Sequence, residues 1–240
     1  MRSAFFLMRT YVKRLKEFSF ENYSGRIGLD VFTELYDPVA GTILWLSFDD
    51  TETLFGKYNG RCYALGALPI LLHEGNYTPS DFKPSASHTF ELDKNDYPGK
   101  ISLRRLIDMY EAAGKFRDIG VTSNTTARTL VNEVQRAIAA DTAVLLNIFH
   151  TNGGHAVVAY DIKPYVDDPN QYFISIYDSN PGLYNKEDNY LVANTLKDTW
   201  HYDAYSGVPG YGVWDSANSE LEIDSASYLY YFVESASPAS

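Results

Sequence analysis

Apolar residues recur at spacings of three and four in several segments of the chain, the period of a helix with one buried face. Phe5, Met8, Val12, Leu15 and Phe18 make the first such stripe, with Arg9, Lys13, Arg14 and Lys16 decorating the same segment as a solvated face. Leu65, Leu68, Leu71 and Leu72 make a second, opened by the turn residues Asn59 and Gly60 and interrupted by Pro69, where the helix is expected to kink or end early. Ser102 caps a third, with Leu103, Leu106, Ile107 and Tyr110 on one face and an end near Gly114. Thr125 or Thr126 caps a fourth, with Leu130, Val131, Val134 and Ile138 as its buried stripe.

Short runs of β-branched and aromatic residues predict strands at 42–48, 143–149, 156–160, 172–177 and 228–233. A polar turn or helix cap follows the first of these, at 49–52. The stretch holding Pro79, Pro84, Pro98 and Gly99 reads as a long surface connection, with His73 and His88 at its edges as surface or capping residues. Between residues 200 and 214 the aromatics Trp200, His201, Tyr202, Tyr205, Tyr211 and Trp214 are mixed with Gly207, Pro209 and Gly210. That density suits either a substrate-binding loop or a strand pair whose aromatic face closes a sheet.

Composition narrows the class. A hydrophobic fraction of 45% and an aromatic fraction of 15% are those of a globular chain, and 240 residues can bury one sizeable core. The chain therefore reads as one domain over 1–240. It has an N-terminal helix and strand without assigned role at 1–50, a catalytic-type core at 55–185 and aromatic-rich closing strands or loops at 186–234. The net charge of -11 disfavours a nucleic-acid partner. No apolar run reaches the ~20 residues of a membrane span, so no membrane insertion is expected. Few lysines and arginines beside many Tyr, Asn, Asp and Ser lean towards an extracellular or cell-surface bacterial protein rather than a cytoplasmic one.

The candidate chemistry centres on Cys62, the only cysteine. Its place at a helix start matters because unpaired N–H groups and the positive end of the macrodipole favour the thiolate, the nucleophilic form. Without a nearby base, a lone cysteine is more often a small buried hydrophobe. A base is available in the glycine turn at 151–154, which delivers His155 to the start of a strand. The chain returns through 172–177 and ends in Asp178-Ser179-Asn180-Pro181-Gly182. In an antiparallel pair the start of one strand and the end of its partner lie side by side, so a carboxylate at Asp178 would orient an imidazole at His155. Asn180 is the rival for that role; two residues apart on a strand, only one of the pair faces the ring. His150 and His155 lack a convergent third ligand, and neither a metal nor another cofactor is expected.

These stretches resemble the papain-like cysteine peptidases, most closely the bacterial double-glycine (bacteriocin-leader) peptidase branch. The matching segments are Gly-x-Cys-Tyr-Ala-Leu-Gly at 60–66, Gly-Gly-His-Ala-Val-Val-Ala-Tyr at 153–160 and Ile-Tyr-Asp-Ser-Asn-Pro-Gly at 176–182. The resemblance implies an α+β fold, with an N-terminal helical lobe whose cysteine helix packs on a C-terminal antiparallel β-sheet. It implies Cys62 as nucleophile, His155 as general base and Asp178 as orienting residue, acting on a peptide or protein through a thioester. Members usually carry a glutamine six residues before the cysteine; Gly56 stands there, which leaves the Cys62 N–H and Asn59 as oxyanion candidates. Two other readings stay open: a cysteine acyltransferase on the same fold, and a non-catalytic module that binds peptide or glycan.

Overall fold

The computed structural model describes residues 60–96, 102–115, 125–150, 153–180, 189–204, 214–226, 230, 231, 233 and 234. The expected helix over 5–18, the strand over 42–48 and Asn59 lie outside them. The described helices are α1 (Cys62–Glu74), α2 (Leu103–Lys115) and α3 (Ala127–Ala139). The strands are β1 (Val144–His150), β2 (Gly153–Pro164), β3 (Gln171–Tyr177), β4 (Tyr190–Asn194), β5 (Thr199–Tyr202), β6 (Trp214–Asp215) and β7 (Ser219–Asp224).

All seven strands join one antiparallel sheet in the order β6-β5-β4-β3-β2-β1-β7. Its two edge strands, β6 and β7, are nevertheless joined by only residues 216–218. A connection that short reaches at most about 14 Å, so the edges must come back towards each other. The sheet is thus a nearly closed barrel.

This overturns the expected papain-like α+β arrangement of a helical lobe set against a C-terminal sheet. The described chain is organised around the curled sheet, with helices on both of its faces. The region of β4 to β7 was legible only as closing strands or loops, because those strands are short and sit among glycines, prolines and turn-forming asparagines and aspartates. In β5 the alternation is complete, with Trp200 and Tyr202 buried and Thr199 and His201 exposed. Trp214 on β6 is buried as well, so these three aromatics close the sheet instead of forming an exposed loop. The expected strand at 228–233 is also corrected, since Tyr230, Tyr231 and Val233 are helical.

Strand alternation sorts the core into two layers. Val144, Leu146 and Ile148 of β1 point inward with Val157 and Ala159 of β2, against α3. Leu145, Ala156 and Val158 point outward, against α1 and α2. The caps of α2 and α3 follow the sequence reading: Ser102 Oγ accepts from the Arg105 N–H, and Thr126 Oγ1 from the Thr129 N–H. Asp198, in the β4–β5 turn, also accepts from the Ala127 N–H and ties α3 to the sheet.

Helix α1 is buried from Tyr63 to Leu71 on every side because it lies between α2 and the outer face of β1 and β2. Pro69 does not end it; the helix runs to Glu74 and stops at Gly75, whose φ of 80° is the left-handed conformation that glycine adopts at low cost. Glycines allow the close packing of its neighbours. A Cβ on Gly114 of α2 would stand 2.4 Å from the Tyr63 ring, too close for either to remain in place. Gly114→Ala is therefore expected to lower stability by about 1–3 kcal/mol, in spite of alanine's better helix propensity. A urea-denaturation midpoint at or above that of the parent protein would contradict this packing.

Candidate active site

The hairpin geometry brings two of the sequence candidates together. His155 stands near the start of β2, and Asp178 directly follows β3. The β2–β3 register pairs Val158 with Tyr177, so by continuation Asp178 falls opposite Val157, which shares a face with His155. His155 Nε2 lies 2.8 Å from Asp178 Oδ1, with both side chains buried. A carboxylate only accepts, so Nε2 carries the proton and donates; in the neutral ring Nδ1 is then the acceptor.

Asp178 has no solvent exposure, and donors meet both of its oxygens. Oδ1 also accepts from the Asn180 backbone N–H at 2.9 Å, and Oδ2 accepts from Tyr202 Oη at 2.9 Å. Tyr202 Oη in turn accepts from Asn189 Nδ2 at 2.8 Å. Asn180 thus meets the carboxylate through its main-chain N–H, and it is the Asp178 side chain that is hydrogen-bonded to the imidazole. Trp214 lies against the His155 ring at a centroid distance of 5.9 Å and against Tyr202 at 6.4 Å. Tyr202, Asn189 and Trp214 surround the pair; the sequence marked Tyr202 and Trp214 only as aromatics of a binding loop or closing strands, and the alternation in 199–202 was the available signal for Tyr202.

Cys62 is the first residue of α1 and is partly exposed. Its side chain acts on the His155 ring through charge and a side-chain hydrogen bond, and Asp178 engages the same ring at Nε2. Burial by itself disfavours the imidazolium. The charges of Asp178 and Cys62, with the hydrogen bonds to both, outweigh that and raise the His155 pKa well above its ordinary value. Helix α1, β2 and the end of β3 therefore bring thiol, imidazole and carboxylate together. Asn59, the other oxyanion candidate, lies outside the described residues.

His150 is two residues beyond Ile148, the β1 partner of His155, and is paired with Gly153 and Ser219. It lines a cavity of ≈ 680 Å³ with Phe149 and residues 216–220, at the end of the sheet where the β1–β2 turn and the β6–β7 turn meet. Cys62, His155 and Asp178 are not among the lining residues, so the cavity neighbours the thiol site without containing it. Among the described residues, no group of three or more His, Cys, Asp or Glu side chains could hold a metal ion, and no helix is long and apolar enough to cross a membrane.

Compared with models of known protein families, with curated proteins and with solved structures, the chain matches none.

Two outcomes are expected of the buried pair. A histidine whose native pKa is raised contributes stability that is fully present below its unfolded value, about 6.5, and is lost as pH rises through the native value. Asp178→Asn removes the charge that favours the imidazolium, so this loss should move to lower pH and shrink; urea midpoints measured across that range check it, and unchanged curves would contradict it. Tyr202→Phe removes one donor from a buried carboxylate and leaves Asn189 without its acceptor, which is expected to cost about 1–3 kcal/mol. A denaturation midpoint equal to the parent's would show that Oδ2 is satisfied otherwise.

Proposed function

We propose that the protein is a cysteine-dependent hydrolase of peptide or amide bonds, with Cys62 as nucleophile, His155 as general base and acid, and Asp178 as the group that orients the imidazole. The observation that carries this reading is the cluster in which Nε2 of a buried His155 is bonded to Asp178 and the same ring interacts with Cys62. A structural cysteine has no need of a buried imidazole–carboxylate pair beside it, whereas an activated one does.

In the proposed reaction His155 takes the Cys62 proton, and Sγ attacks the substrate carbonyl to form a tetrahedral intermediate. The imidazolium then gives its proton to the leaving amine, and the carbon–nitrogen bond breaks to leave a thioester. Water, deprotonated by His155, attacks the thioester, releases the acid and restores the thiol. A second amine in place of water would make the same machinery an acyltransferase. The backbone N–H of Cys62 lies beside the attacking sulfur, and among the described residues no hydrogen bond uses it. It is the donor available to the developing oxyanion. Asp178 keeps the ring in the tautomer that leaves its acceptor nitrogen for the thiol.

Alkylation of Cys62 by iodoacetamide tests the coupling directly. Reaction is expected to be fast near neutral pH in the native protein and to slow by about tenfold or more in His155→Ala, because the thiolate loses its counter-ion. A thiol that stays inert until unfolding, or that reacts at the same rate in both proteins, would exclude the catalytic reading.

A further inference from the structure

The start of α1 is held by two carboxylates from α2, one helical turn apart. Asp108 Oδ1 accepts from Arg61 Nε at 2.6 Å, and the Arg61 side chain is almost wholly buried. Glu111, itself buried, accepts from the N–H groups of Tyr63 and Ala64 at 3.1 and 3.2 Å. The first N–H groups of a helix have no partner within it. Here the first intrahelical bond runs from the Leu65 N–H to the Arg61 carbonyl, and Glu111 takes the two donors just before it. The donors that would otherwise favour a thiolate at Cys62 are thus occupied by a carboxylate.

We propose that Glu111 is a positioning residue for Cys62, which fixes the first turn of α1 and sets a buried negative charge beside the nucleophile, so that the thiolate depends on the His155 imidazolium instead of on the helix end. This rests on the catalytic reading of Cys62 and deepens it. Occupying the N–H groups of Tyr63 and Ala64 also leaves the Cys62 N–H as the donor for the oxyanion, which restricts where the substrate carbonyl can sit. Among the described residues, the charged and titratable groups around Cys62 are His155 from β2, Asp178 behind it, Asp108 and Glu111 from α2, and Arg61 from its own segment. Asp224 at the end of β7 reaches the neighbouring Tyr63 through the tyrosine hydroxyl.

One geometrical detail makes the proposal testable. A single oxygen of Glu111, Oε2, accepts both N–H groups. The amide oxygen of Glu111→Gln can keep both hydrogen bonds while the charge is lost. The experiment measures the pH midpoint of iodoacetamide alkylation in the parent protein, in E111Q and in D108N, which removes the same unit of charge from the clamp at a partly exposed position. The midpoint is expected to fall by about one pH unit in E111Q and to fall in D108N as well. A merely structural glutamate would leave the midpoint in place, and a midpoint that is unmoved or raised in whichever of the variants folds overturns the proposal. The two readings fail separately. If His155→Ala does not alter alkylation of the parent protein, the catalytic reading falls and takes this one with it; if that coupling holds and the clamp variants do not shift the midpoint, only the role of Glu111 falls.

Discussion

A carboxylate sealed from solvent has to be met by donors, and much of this structure follows from meeting that requirement at Asp178. Its partners come from β2, from the turn after β3 and from β5. Elements far apart in sequence are thereby held at one point. Asn189 in turn donates to the Tyr202 hydroxyl and holds it in place. Removing one partner from such a group costs more than the hydrogen bond itself, because the remaining charge is left buried. The same requirement orients His155, since the ring is fixed at Nε2 by Asp178 and flanked by Trp214.

The curl of the sheet makes that convergence possible. In a flat sheet of this order β6 would stand four strands away from β2, too far for Trp214 to reach the His155 ring. Bringing β6 back towards β7 folds the aromatic face of β5 and β6 over the inner ends of β2 and β3. The barrel is in this sense part of the site, and the aromatic residues that close it also line it.

Helix α1 carries the thiol into this arrangement from the outer face. It is buried along most of its length and cannot shift without disturbing α2 or β1 and β2. Gly66 faces Leu145 and Val158, and Gly114 of α2 faces Tyr63, so the close approach on both sides rests on missing side chains. The Arg61–Asp108 pair and the Glu111 carboxylate fix the end of the helix where the thiol sits. Rigid placement of a nucleophile against its base favours attack by lowering the entropy lost on reaching the reactive geometry.

The sequence by itself determined the local elements and the identities of three candidate residues. The stripes in α2 and α3, their Ser102 and Thr126 caps, and the strands carrying His155 and preceding Asp178 all follow from period, propensity and turn chemistry, which depend on neighbours along the chain. Hairpin geometry then sufficed to place Asp178 beside His155, because antiparallel pairing relates two strand ends without reference to the rest of the fold. The barrel was not legible in this way, nor were the contact of Tyr202 with Asp178, the shelter of Trp214 and the hold of Glu111 on the start of α1. Each joins residues separated by 24 to 59 positions or by several strands, and nothing in a local pattern records which distant donor will meet a buried acceptor. Tertiary packing decided those partners, since only the closed sheet and the stacking of α2 on α1 exclude the water that would otherwise satisfy them.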